Sequence, residues 1–122
     1  MVINLHAQSQ IGLDINGETA ADQSGYSVSL SLDGTKVAIG AWLNDGTGSN
    51  AGHVRVYQYS GGSWVQLGAD IDGEAAQDQS GKSVSLSSDG SKVAIGANLN
   101  DGTGSNAGHV RVYQYSGGSW CN

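Results

Sequence analysis

The chain has no proline, no phenylalanine, one cysteine and only five lysines and arginines among its 122 residues. Each scarcity excludes something. With no Phe and 38% hydrophobic content, a lone domain of this size has little material for an independent core, so a partner is expected. The one thiol, Cys121, precludes an intrachain disulfide framework and leaves two roles open: a small apolar filler in a strand, or an interchain disulfide or reactive thiol. The cations Lys36, Arg55, Lys82, Lys92 and Arg111 are scattered against a formal net charge of −6, which leaves no electrostatic footprint for a phosphate backbone. No nucleic-acid partner is expected. No apolar run approaches the length that spans a bilayer, and Met1 to Gln10 has neither the charged start nor the apolar stretch of a secretion signal. No membrane partner is expected, and localisation stays open.

What the chain has in abundance is glycine, 20 residues, with Ser, Asn and Asp between short Val and Ile runs. That is turn-rich β composition. The segment Ser24 to Trp64 returns almost unchanged as Ser80 to Trp120, and Leu43 to Trp64 is letter for letter Leu99 to Trp120. Copies beginning at Gln10 and Gln66 lie 56 residues apart, a period that signals a solenoid, propeller or array. Identity of this degree is what a recent duplication or a designed repeat produces. The expected division is a non-repeat leader over 1–9, one repeat over 10–66 that opens with the end of a fourth strand, and a second over 67–122 whose fourth strand is truncated.

Within a repeat, Tyr26, Val28, Leu30 and Leu32 alternate with serines and predict a strand. Asp33-Gly34 predicts a tight turn into KVAIGA, and HVRVYQY from His53 predicts a third strand. Ser60-Gly61-Gly62 turns into a fourth, where Val65, Leu67, Ala69 and Ile71 alternate; Gln10 to Ile15 corresponds to its latter part. Four short antiparallel strands, small residues in the first two and bulk in the others, match a β-propeller blade that narrows toward the axis. The fold class expected is therefore all-β: two four-stranded antiparallel blades that complete a β-propeller by oligomerisation. A flat stacked solenoid is the alternative.

The order SGYSVSLSLDGTKVAIGAWLND…AGHVRVYQY, repeated as SGKSVSLSSDGSKVAIGANLND…AGHVRVYQY, resembles the FG-GAP repeats of integrin-like β-propellers. Ser24 and Ser80 stand in place of that motif's Phe, and Trp42 and Asn98 in place of its Pro. Its acidic calcium loop shrinks here to Asp33-Gly34 and Asp89-Gly90, so the family's calcium site is not carried over to that position. The resemblance implies an extracellular or cell-surface origin.

Alternating strand direction puts the loops over 16–24 and 42–52 at one end of the blade, which gathers Asp14, Glu18, Asp22, Asp45, Asp70, Asp72, Glu74, Asp78 and Asp101. Two segments there have the alternating oxygens that calcium uses, Asp70-x-Asp72-x-Glu74 and Asp45-x-Thr47-x-Ser49, with Asp101 the second-copy equivalent of Asp45. Turn hydrogen bonding accounts for the same residues without a metal. Trp42 beside Asp45 and Asn50, with Asp101 and Asn106 in the second copy, is equipment for stacking and hydrogen-bonding a glycan; the competing role for Trp42 is packing on the neighbouring blade. Trp64 and Trp120 are expected to pack. No nucleophile elbow and no metal-ligating His cluster is legible, so no catalytic residue, no cofactor and no enzyme activity are expected. The function expected is a self-assembling propeller fragment that serves as a structural or binding scaffold; a lectin-like or cation-binding adhesion module on the acidic face is the alternative. The partner is the chain itself: a tetramer would give eight blades and is favoured, a trimer six. Gln10 to Ile15 of one copy is expected to complete the last strand of another, near Cys121.

Overall fold

The computed structural model describes residues 8–122, and most of the expected leader lies outside them. The described residues hold nine strands and no helix. In the first sheet, β1 (Ser27–Leu30), β2 (Lys36–Ala41), β3 (His53–Ser60) and β4 (Ser63–Gln66) pair antiparallel in chain order. A short β5 (Ile71–Asp72) also pairs with β3 and makes a fifth strand. The second sheet repeats the series as β6 (Ser80–Leu86), β7 (Lys92–Ala97), β8 (His109–Ser116) and β9 (Ser119–Cys121).

Local chemistry explains the order. Asp33 Oδ1 accepts from the Thr35 N–H at 3.0 Å and from both Ser31 and Thr35 hydroxyls, which ties the β1–β2 turn while Gly34 takes φ 74°. Gly61 and Gly62 both have positive φ, as a two-residue hairpin between right-twisted strands requires.

The fourth strand departs from the uninterrupted run expected over Val65 to Ile71. It ends at Gln66 with one further bond, from the Leu67 N–H to the Val56 carbonyl at 2.7 Å, and Gly68 turns left-handed at φ 74° before pairing resumes at Ile71. The cause is Trp120, whose Cδ1 lies 2.9 Å from where a Gly68 Cβ would be and whose indole N–H donates to the Leu67 carbonyl at 2.8 Å. Apolar alternation reports which side a residue faces, not whether its ladder partner is present. The equivalent Gln10 to Ile15 forms no strand. It nonetheless repeats the tryptophan contact, with Trp64 Nε1 donating to the Ile11 carbonyl at 2.9 Å.

One hydrophobic core lies between the two sheets. Ala38, Val54, Val56 and Ile71 of the first meet Leu86, Val93 and Ile95 of the second, flanked by Val84 and Trp120. Serines of β1 let the sheets approach: Ser27 Oγ donates to the Gly81 carbonyl at 2.7 Å, and the Leu86 N–H donates to Ser29 Oγ at 2.9 Å. A Cβ on Gly40 would stand 2.1 Å from the Gly81 oxygen, so glycine is required there by the neighbouring backbone.

Candidate functional site

Both long loops reach one end of the first sheet, and Asn44 joins them. Its Nδ2 donates to Glu18 Oε1 and to Asp22 Oδ2, each at 2.8 Å, while its Oδ1 accepts from the Gly46 N–H. Asn44 and Asp22 are both buried, so these bonds offset the cost of removing their polar groups from water. Asn100 and Asp78 repeat the arrangement, with Glu74 in the place of Glu18.

Below this junction β3 contributes His53 and Arg55. Arg55 bonds Asp70 through Nε at 2.8 Å and Nη2 at 3.0 Å and reaches Glu18 Oε2 at 2.6 Å. Gln66 Nε2 adds a bond to Asp70 Oδ1 at 2.7 Å. The strand register places Asp72 opposite His53. Three carboxylate oxygens therefore surround His53 Nδ1, Asp70 Oδ2 at 3.8 Å, Glu18 Oε1 at 3.9 Å and Asp72 Oδ1 at 3.9 Å. None of these is within hydrogen-bonding distance, and Nδ1 is the only buried side-chain nitrogen or oxygen without a partner among the described residues. An orphaned buried polar atom of this kind costs about 1–3 kcal/mol.

The carboxylates differ in how they are held. Asn44 donating to Glu18, with Arg55 beside it, lowers the Glu18 carboxyl below its ordinary range, and Arg55 does the same for Asp70. Asp72 moves the other way, raised by burial and then by the neighbouring Asp70 charge. In the second sheet, Arg111 bonds Glu74 and His109 Nδ1 lies 3.9 Å from Glu74 Oε1.

The segment Asp70-x-Asp72-x-Glu74 is thus divided. Asp70 and Asp72 flank His53, whereas Glu74 has crossed to Asn100 and Arg111 of the second sheet. Asp45 and Asp101 accept from the Asn50 and Asn106 N–H groups, at 2.8 and 2.6 Å, and both asparagines have φ 54°; they close tight turns. One face of the Trp42 indole is covered. Lys82 Nζ sits 3.4 Å from its ring centroid, Tyr26 packs at 5.2 Å, and Gln23 accepts its N–H at 2.9 Å. Glu18, His53 and Asp70 bring ligand atoms within 4.8 Å of one another, a grouping that was not legible in the sequence. The available signal was that Glu18, His53, Arg55 and Asp70 all recur or have partners at the repeat spacing.

The sheet faces are a second feature. Val28 and Leu30 of the first sheet are 62% and 60% exposed, and with Val37, Ile39 and Ile15 they line an open groove of about 560 Å³ under Trp64. Val110 and Val112, on the far side of the second sheet, are 68% and 55% exposed. Exposed apolar faces of this extent mark interaction surfaces.

The curated proteins contain no match to the chain. The profile described as FG-GAP repeat matches twice, at residues 16–57 and 69–113, which spans most of both sheets and both polar junctions. With two near-identical antiparallel sheets packed face to face and Gly40 of one repeat set against Gly81 of the next, the chain belongs to the FG-GAP repeat family and carries two blades of a β-propeller-type binding or structural module.

Proposed function

We propose that the chain is a building unit of a propeller ring, a self-assembling scaffold rather than an enzyme, whose copies join head to tail. One observation carries this reading. The open faces are the two halves of the joint already formed between the sheets. Val28, Leu30, Val37 and Ile39 correspond to Val84, Leu86, Val93 and Ile95, and Val110 and Val112 correspond to the fully buried Val54 and Val56. A second copy laid on the chain by the same operation reproduces the internal joint, including Ser83 and Ser85 in the roles of Ser27 and Ser29. Such a joint is heterologous, and heterologous joints form rings when the rotation closes.

The Trp64 bond to Ile11 supports a role for Gln10 to Ile15 as the last strand element of a preceding blade, since Trp120 treats Leu67 in the same way. A tetramer gives eight blades and remains the favoured closure, with a six-bladed trimer as its rival. Deleting residues up to Ile15 is expected to abolish or scramble assembly, and unchanged assembly would overturn the strand role. Native mass spectrometry tests the closure itself: a mass ratio of four supports the tetramer and three the trimer. A stable monomer at micromolar concentration would defeat the reading.

A further inference from the structure

We infer that the first blade binds a divalent transition-metal cation of zinc-like ligand preference between His53 Nδ1 and the carboxylates of Glu18, Asp70 and Asp72. The site lies within one chain and is independent of ring assembly. Its lone donor is already aimed: the His53 side chain is 5% exposed, and its unpartnered Nδ1 faces the three carboxylate oxygens at 3.8–3.9 Å. Zinc bonds of about 2.0–2.2 Å in a tetrahedron set ligand atoms roughly 3.3–3.6 Å apart, so the approaches to Nδ1 would shorten by a few tenths of an ångström, while the carboxylate oxygens, those of Glu18 and Asp70 lying within 4.8 Å of each other, would draw further together and Asp72 would swing in from outside that group.

Charge and ligand type agree. Arg55 pairs with Glu18 and Asp70 but not with Asp72, so three carboxylates and one guanidinium leave an uncompensated negative charge beside the imidazole. A dication offsets it. Each carboxylate oxygen has a second lone pair, so the Arg55 bonds and the Asn44 bond to Glu18 can persist and serve to orient the ligands. Calcium and magnesium favour all-oxygen sites, whereas an imidazole nitrogen among carboxylates suits zinc and its neighbours. His109 has Glu74 alone as a nearby carboxylate among the described residues, which makes His53 the stronger site.

Isothermal titration of the full chain with zinc chloride at neutral pH, with the histidine imidazoles followed by nitrogen-15 NMR, tests this. Zinc should perturb His53 first and bind tighter than calcium. His53→Gln should weaken binding about tenfold or more, while Asp45→Asn should leave it unchanged. Asp72→Asn should weaken it less, and it is the safer variant for folding because Asn16 already occupies the corresponding place in the first copy. Zinc binding that survives both His53→Gln and Asp72→Asn undiminished would overturn the site. So would calcium binding as tightly as zinc, or a His53 that is protonated at neutral pH and insensitive to millimolar zinc, which would make the cluster an imidazolium held by carboxylates.

Discussion

Gly40 shows how a single position sets the spacing of the two sheets. A methyl there meets the Gly81 carbonyl oxygen at 2.1 Å, which cannot retreat without opening the joint between sheets, and Ser27 Oγ at 2.3 Å, which would have to rotate off its bond to that carbonyl. Gly40→Ala is expected to cost about 1–3 kcal/mol in denaturant unfolding, the range for overpacking. Gly104→Ala, in a loop with open space around it, should fall within about 0.5 kcal/mol of the parent. Equal effects would show that the sheets do not approach as described.

The same scale governs the response to acid. Glu18 and Asp70 have folded-state carboxyls below their ordinary values of 4.5 and 3.8, so their stabilisation is present above those values and is lost as pH falls through the lowered ones. Asp72 has the opposite sign: it takes its proton earlier in the folded state, which partly offsets the loss. Thermal melts should hold steady from neutral pH to about 5 and decline below about 4. In Asp70→Asn the decline should be shallower, and an unchanged acid limb would remove Asp70 from the account. Residues such as Asp33 and Asp89 were readable as turn formers because their partners lie two residues away; the hydrogen bonds about Asp89 hold its carboxyl at about 2. The surroundings of His53 were not readable. Glu18 comes from the loop before β1, Asp70 from the turn between β4 and β5 and Asp72 from β5, and the register that sets Asp72 opposite His53 brings the last two to it.

Among the elements, β3 carries the most consequence, because one side of it makes the joint and the other the polar cluster. Val56→Ala removes fully buried methyls between the sheets and should cost roughly 2 kcal/mol. Val112→Ala alters the corresponding but exposed position and should spare the folding of an isolated chain while weakening association. If both changes destabilise the isolated chain equally, the second sheet's outer face is not the open counterpart of the first. Strand identity and order were legible from alternation and turn glycines, and the hairpins follow them closely. The break at Gly68 was not, for it depends on Trp120 from the other sheet. Nor was the position of Glu74: spacing along the chain groups it with Asp72, yet it bonds across to Arg111.

At the scale of the whole molecule, the repeat makes the two ends of the sheet stack complementary to each other. Val28 and Leu30 open one face and Val110 and Val112 the other, and the interior of the same chain already contains their union. The period alone pointed to a ring or a stack; the face-to-face packing inside the chain is the ground for proposing that each open face meets the other rather than itself. Two single-face variants test this directly. Val28→Asp blocks one face and Val110→Asp the other, both at exposed positions where the isolated fold should tolerate a carboxylate. Light scattering should find each variant monomeric alone and an equimolar mixture as a one-to-one dimer held by the single intact pair of faces. A mixture that stays monomeric, or a variant that keeps the mass of the parent assembly, would contradict head-to-tail closure.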